Sequence, residues 1–442
     1  AGAAVHATES DARERERDYV TGTRTSTRGT YTLEVTRGRY DVVVSAPGGL
    51  VTDAKTVRLD DPMRPIDLEF IVATSGVLEY RVRDEGGRAL PAKLTIIKKV
   101  GSAARLPARY GEPPSMDGVW RLEHAPHGQG SFALPAGEYE VHVSRGSEYE
   151  VQTRMLVVEA RSTTTLDVTL ARSFETPGWL STDTHLHAQL SSDSSDAFTF
   201  KVAALAAEGI ELPISTEHEA LGDFGPAIRE LGLEDFVQGV VGSEVTTSNI
   251  GHVNAFPLEP DLSLPGRGRI EWFGKTPAEL FATLRANPGD PIVQVNHPRW
   301  LGIGGYFTAM GLDPATGLAS DPRFSLDFDT VEIVNTCDIE QIERESLPDW
   351  FALLRRGERK VGTGGSDSHH AALGEVGYPR TYLRMPTDSP RTARVDDLRA
   401  AFRAGHVSIS CGPYVEAKIG EHEVGDDVVV SGGGVDVAVR VL

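Results

Sequence analysis

Only two cysteines, Cys337 and Cys411, occur in 442 residues. Two thiols cannot build a disulfide framework, and no C-x-x-C is present for a zinc ribbon or a redox site. The expectation is two inert buried thiols; a single bridge between them has no support from the sequence. No apolar run approaches ~18 residues, which excludes a transmembrane helix. No basic-then-apolar leader opens the chain, as in a mature or trimmed form whose signal is already gone. Basic residues are outnumbered, 44 against 64 acidic, for a formal net charge of -20. So acidic a surface repels phosphate backbones, and broad nucleic-acid binding is not expected. G-x-S-x-G and H-E-x-x-H are both missing, which disfavours a serine hydrolase with a nucleophile elbow and a zinc protease.

What is present is enough for packed cores. Hydrophobic residues make up 40%, and 46 glycines with 26 prolines point to many turns. Length alone suggests two to four domains. Residues 1–19 read as a charged segment, because 9–18 are mostly Glu, Asp and Arg. After it the chain repeats itself. The stretch from Gly29 through Gly38, Tyr40, Val42 and Val44 resembles that from Gly130 through Gly137, Tyr139, Val141 and Val143. Apolar and polar residues alternate in both, the period of a half-buried strand. This predicts two β-sandwich modules, 20–74 and 75–172, of a kind that can contact carbohydrate or protein. Gly111-Glu112-Pro113-Pro114 is expected in a loop of the second.

From 173 to 405 the texture is α/β. Helices are expected over Phe198–Glu208, capped by Asp196 and stopped by Gly209, over Pro277–Arg285, and over Pro348–Arg356. Strands are expected at Ile210–Ser215, Pro291–Asn296, Asp329–Asn335 and Lys360–Gly362. The alternation implies parallel strands with helical crossovers, in an α/β barrel or a doubly wound sheet. Residues 406–442 return to β.

Seven of the thirteen histidines lie between 185 and 370, most beside acidic residues. The clusters are Asp183-Thr184-His185-Leu186-His187, Glu217-His218, Glu244 with His252, Asn296-His297-Pro298, and Asp367-Ser368-His369. His185 and His187 share one side of a strand, because side chains repeat every second residue. Each cluster follows a predicted strand, and strand C-terminal ends converge on one mouth of a barrel. A lone histidine at a strand end is usually a hydrogen-bonded structural residue; five clusters in barrel order are better explained by divalent ions. Ligands of nitrogen and oxygen without thiolate suit Zn or Mn, with Fe(II) as a further option.

These motifs resemble the polymerase-and-histidinol-phosphatase (PHP) family of metal-dependent hydrolases over about 178–415. Within it, the chain is similar to the CehA/McbA-type branch, and its N-terminal modules look like carboxypeptidase-regulatory modules. The resemblance implies a distorted (β/α)7 barrel with two or three metal ions. It assigns His185, His187, Glu244 and Asp367 to a first ion. Glu244, His252 and His297 would hold a second. His218 and His369 would hold a third, with Asp193 as the candidate partner; a loop or capping Asp is the competing reading of Asp193. Where the family usually has Asp-His, this chain has Glu217-His218, which leaves the third ion least secure. The implied chemistry is attack by water activated between Glu244-bridged metals, with Asp367 and His369 also in the catalytic set. The branch implies a small ester, carbamate or amide substrate. The wider family implies a phosphoester, and a non-catalytic metal- or glycan-binding protein is the third reading. Arg299 and Arg380 are candidates to hold an anionic substrate oxygen, against a rim salt-bridge role. Appended sandwiches and the missing membrane span fit a periplasmic or secreted enzyme.

Overall fold

The computed structural model describes residues 3–9, 19–46, 50–52, 54–61, 64–72, 74–98, 119–300, 305–373 and 376–442. The charged run at 10–18 and the expected loop at 111–114 lie outside them. The chain is multidomain and mostly sheet, and it divides into two compact units. One comprises Ala1–Ser144 and Val151–Ala171; the other comprises Arg145–Glu150 and Arg172–Leu442.

Among its described residues, the regular structure of the first unit is β. Ala4–Glu9 pairs antiparallel with Tyr19–Arg24 on one side and Gly38–Ala46 on the other. Val5 and Ala7 are buried with Tyr40, Val42 and Val44. The N-terminal segment read as charged therefore contains a core strand. Its period-2 signal is only a few residues long and is hidden by the charges that follow. Tyr31, Leu33 and Val35 pack on the same core, as do Leu68, Phe70 and Val72, although neither stretch joins a ladder. Further on, Ser75–Asp84 pairs with Gln129–Pro135 and Thr163–Leu170. Ala92–Lys98 pairs with Val119–Ala125 and Gly137–Ser144, which also takes Gln152–Val158. Leu78, Tyr80, Val82, Leu94, Ile96, Val141, Val143, Leu166 and Val168 are buried, so each sheet hides one face. The repeat is visible atom by atom. Tyr40 Oη donates to the Thr36 carbonyl at 3.1 Å, and Tyr139 Oη donates to the Pro135 carbonyl at 2.7 Å. The first ring folds back over Gly38, where an added Cβ would meet the Tyr40 hydroxyl at 3.0 Å.

In the second unit, helix Pro277–Arg285 starts with a full capping box between Thr276 and Glu279. Helix Phe198–Ala207 stops before Gly209 as expected, but Asp196 does not cap it. Asp196 instead pairs with Lys201 Nζ at 3.0 Å and accepts the Ala371 N–H at 2.6 Å. The third expected helix runs from Ser346 to Arg355.

Strands Ser243–Thr246, His252–Phe256, Ile292–Val295, Thr330–Val334 and Val361–Gly364 form one sheet in that order. The last three are parallel and the first two pairings are antiparallel. The all-parallel expectation fails here because a short turn, not a crossover helix, joins the first two strands. Ile214–Ser215 pairs with Val240–Val241, and Ile214 N–H reaches the Asp183 carbonyl after strand Trp179–Thr182. Leu186 bridges to Ser368 at the far end of the five-stranded sheet. These links bring the strand ends carrying all five histidine clusters together. Arg380–Arg384 lies between Trp179–Thr182 and Val407–Ser410 in a separate antiparallel sheet. Val415–Lys418 pairs with Ala438–Val441, whereas Val428–Val430 forms no strand.

The cysteines depart from expectation. Cys337 and Cys411 are exposed, and they form a disulfide across 74 residues of chain. Nothing local in the sequence signals this pairing, because the two loops meet only once the sheets are built. No helix among the described residues is long and apolar enough to cross a membrane.

Candidate metal centre

The Asp183–His187 segment follows strand Trp179–Thr182 directly, and both of its imidazoles are fully buried. Asp183 does not face them. Its Oδ1 accepts the N–H groups of His185 at 3.2 Å and Ser366 at 2.9 Å, and Oδ2 accepts that of Gly377 at 3.1 Å. One carboxylate thus ties the first cluster to the loop that carries Asp367. Burial pushes the Asp183 carboxyl up to about 6 against those hydrogen bonds.

The histidine tautomers follow from their neighbours. His185 Nδ1 lies 2.9 Å from Glu332 Oε1, an acceptor only when ionised, so Nδ1 carries the proton. His185 Nε2 then faces the cluster, 3.2 Å from Glu244 Oε1 and 3.3 Å from Asp367 Oδ1. Ser191 Oγ donates to Glu217 Oε2 at 2.7 Å, so it accepts from His187 Nδ1 at 3.0 Å. His187 Nε2 is left 3.1 Å from Asp367 Oδ1. His369 Nδ1 donates to the Asp367 carbonyl at 2.7 Å, and its Nε2 lies 3.3 Å from Asp193 Oδ2. His218 Nε2 is also 3.3 Å from Asp193 Oδ2. Orientation of metal-binding imidazoles through the opposite ring nitrogen is the usual device for fixing a ligand lone pair.

Glu244 is the hub. Its Oε1 lies 3.3 Å from His252 Nδ1 and 3.5 Å from His297 Nε2, and it accepts from Asn296 Nδ2 at 2.8 Å. Its Oε2 lies 2.7 Å from His218 Nδ1. Burial opposes ionisation of Glu244, but His185 and the other rings prevail and hold it well below the usual carboxylate range. Asp367 is likewise held well below that range: burial resists, and His185 and His187 outweigh it. Burial opposes charge on His185, but Asp367, Glu332 and Glu244 raise it well above the usual histidine value. For His187 burial wins, and the ring is lowered to about 4.

Buried Nε2 of His185 and His187 and Nδ1 of His252 have no hydrogen-bond partner. Orphaned buried polar atoms are costly, and here they converge. Three groups have ligand atoms within 4.8 Å of one another: His185 with His187 and Asp367, His185 with Glu244 and His297, and His187 with His218 and His369. Imidazole and carboxylate donors of this kind fit divalent cations, which would satisfy the orphaned Nε2 atoms of His185 and His187. His297 and Asp367 also hold positive φ, 23° and 52°. Non-glycine residues in that region are strained, and such strain collects at functional sites.

The structure thus gathers His185, His187, Asp193, His218, Glu244, His252, His297, Asp367 and His369. The grouping differs from that implied by the family resemblance: His187 sits with His218 and His369 as well as with His185, His185 also sits with Glu244 and His297, and His252 and Asp193 fall in none of the three groups. The two arginines behave otherwise. Arg299 spends its fork on the buried Asp349, with Nε–Oδ2 at 2.6 Å and Nη2–Oδ1 at 2.5 Å, and also donates to the Leu312 carbonyl. A substrate oxygen would have to compete with that pair, so the catalytic role expected for Arg299 gains nothing from its contacts. Arg380 is buried and donates to the carbonyls of Gly377 and Glu208. Sequence reasoning gave no role to Glu332, Asn296 or Asn335, although Asn296 stood in one of the clusters. Glu332 had a signal, a lone charge inside the apolar strand Thr-Val-Glu-Ile-Val. Glu217, read as a deviant ligand motif, turns away from the rings. It accepts from Ala188 N, Ser191 N and Ser191 Oγ and shapes the loop behind His187.

A cavity of about 260 Å³ opens beside the cluster, with His297, Glu332 and Asp367 in its wall.

No family model matches the sequence, and no curated protein matches it. Among solved structures, it is similar to a two-domain protein from Bacteroides vulgatus containing a predicted PHP-like metal-dependent phosphoesterase. Identity is 17%, over 52% of this chain and 64% of that one, with a TM-score of 0.35. Similarity to the lesion-specific endonuclease PfuEndoQ from Pyrococcus furiosus is 15%, over 52% and 57%, with a TM-score of 0.33. PsfC from Pseudomonas syringae gives 18%, over 53% and 91%, with a TM-score of 0.34. At these scores the likenesses assign neither fold nor function to this chain.

Proposed function

We propose that the chain is a metal-dependent hydrolase of the PHP type, acting on a small ester, carbamate or amide. The observation that carries this reading is the convergence of buried, unpartnered imidazole nitrogens on Glu244 and Asp367. We read the linked strands of the second unit as a distorted (β/α)7 barrel and the first unit as two β-sandwich modules.

His185, His187, Glu244 and Asp367 would hold one ion, with Glu244, His252 and His297 around a second. His218, His369 and Asp193 would hold a third. Zn or Mn suits these donors best. When bound, such ions lower the pKa of coordinated water from 15.7 to roughly 7 and polarise the electrophile. The protein does the rest. Glu332, Ser191 and the Asp367 carbonyl keep the protons of His185, His187 and His369 on Nδ1, so the Nε2 lone pairs stay aimed inward. Asn296 fixes the Glu244 carboxylate. Trp300 packs edge-on against His297 at 4.9 Å between ring centroids. If no third ion holds them, His369 or His218 could instead pass a proton to the leaving oxygen.

The choice of bond is guided by charge. Among the described residues, Arg299 is the one Lys or Arg side chain in the cavity wall, and Asp349 neutralises it. Phosphoester hydrolysis on the same site is the alternative, and it would want more free positive charge than this wall offers. A non-catalytic metal- or glycan-binding protein is the remaining reading, and a cavity opening onto the cluster speaks against it. The exposed Cys337–Cys411 disulfide supports an oxidising location such as the periplasm or the extracellular space. The test is a parallel assay of the metal-loaded chain on p-nitrophenyl phosphate, a phosphodiester, and naphthyl esters and carbamates. Turnover of the last group is expected; turnover of phosphates alone would reverse the ordering.

A further inference from the structure

One continuous segment, 335–345, supplies much of the cavity wall: Asn335, Thr336, Gln341, Ile342 and Glu345. It contains the short helix Ile339–Arg344, which buries none of its residues. Ile339 is 68% exposed. A helix with no buried face is not held by packing, because most helical stability in proteins comes from an apolar face docked on a core. Its own bonds are local. Asp338 accepts the Gln341 N–H at 3.1 Å, and Gln341 Nε2 donates to Glu345 at 3.1 Å. Among the described residues, the segment's side-chain ties to the rest of the unit lie on either side of that helix. At one end Asn335 Nδ2 donates to Glu332 at 3.1 Å and Asp367 at 3.3 Å; at the other, Ser346 Oγ donates to the Ile333 carbonyl. Between those ends sits Cys337, joined to Cys411 just beyond strand Val407–Ser410.

We infer that 335–345 is a substrate-binding arm and that the Cys337–Cys411 bridge holds it in binding position. The arm takes the non-reacting part of the substrate, an uncharged organic group. It offers amide and hydroxyl groups from Asn335, Gln341 and Thr336 and an apolar contact from Ile342, while the Glu345 carboxylate repels anions. Trp300, 55% exposed, lines the same cavity as an aromatic surface. This inference rests on the hydrolase reading for its substrate and on the fold alone for the bridge.

The test compares the metal-loaded wild type with Cys337→Ser/Cys411→Ser, so that no thiol reductant touches the metals. Two readouts are taken. Amide hydrogen exchange over 335–345 reports the arm directly. Kinetics with 1-naphthyl acetate, whose bicyclic group must enter the cavity, are set against methyl acetate, whose methyl group need not. In the double variant, exchange over the arm is expected to accelerate. KM for 1-naphthyl acetate should rise about fivefold or more with kcat retained, the mark of lost uniform binding. Metal content and the kinetics of methyl acetate should not change. Gln341→Ala with the bridge intact should raise KM for 1-naphthyl acetate without faster exchange. Unchanged exchange would overturn the role of the bridge, and an unchanged naphthyl KM in both variants would overturn the arm. If the loaded wild type turns over neither ester, the hydrolase reading and the arm's substrate fall together, while the exchange result still decides the bridge.

Discussion

Glu332 and His185 meet at 2.9 Å, carboxylate to Nδ1, deep in the second unit. The same carboxylate accepts the His297 N–H at 2.8 Å through its other oxygen. One side chain therefore sets the ring of one metal-binding candidate and the backbone of another. Glu332→Gln keeps the shape but replaces one acceptor oxygen by a donor. Metal affinity is expected to fall about 10–100-fold, the usual loss for such outer partners, with the fold retained. Titration against a competing chelator measures it; unchanged affinity would remove Glu332 from the site.

Lys201 is fully buried behind the cluster and clamps the loop that carries Asp367 and His369. Its Nζ lies 3.0 Å from Asp196, 3.1 Å from the Ser368 carbonyl and 3.3 Å from the Ser368 hydroxyl. That carbonyl also accepts the His187 N–H at 3.0 Å. Lys201→Met leaves Asp196 buried without its partner, a loss of about 3–5 kcal/mol. Lys201→Met/Asp196→Leu removes both charges and should recover much of the thermal midpoint. Metal content should stay low in the double variant, because Ser368 has lost its anchor. Full metal content there would reduce the pair to a role in folding alone.

A second buried carboxylate predicts a pH effect independent of metal. Glu211 accepts the Ser181 N–H at 2.9 Å, and burial, with Glu148 nearby, pushes its carboxyl up from 4.5 to about 7. Between those values the unfolded chain has released a proton that the folded chain keeps. Stability therefore falls as pH rises from 4.5 to 7 and stays lower above 7. Glu211→Gln, neutral throughout, should melt higher than wild type at pH 8 by on the order of 1–3 kcal/mol and show no such gain at pH 4.5. Calorimetry at the two pH values checks this; equal offsets at both would refute the buried-acid explanation.

Eight of the nine proposed ligands stood out in the sequence because each sits in or near a strand end, where local pattern and chemistry coincide; Asp193, in the loop after the first cluster, came only from the family resemblance. The partners that aim them were harder to read. Asn296 and Asn335 act across strands, so their roles depend on register that no local window contains. Glu332 could have been found, since a charge in the middle of a buried strand demands a partner. Arg299 misled, because proximity to His297 in sequence says nothing of Asp349, 50 residues on. Asp196 looked like a cap and proved to be the mate of a buried lysine. The helices of the second unit, marked by Thr276-Pro277 and by glycine stops, were readable to within a few residues. The antiparallel start of the five-stranded sheet was not, since strand direction depends on how a connection folds back.

The most direct measurement is anomalous diffraction at the zinc and manganese edges, with elemental analysis of the same purified protein. Two or three divalent ions per chain are expected, at least two of them in contact with Glu244 and each with one or more of the histidines named above. A chain that takes up no ion from zinc- or manganese-containing buffer, or one whose ions lie away from Glu244 and Asp367, would contradict the assignment of this cluster as a metal centre.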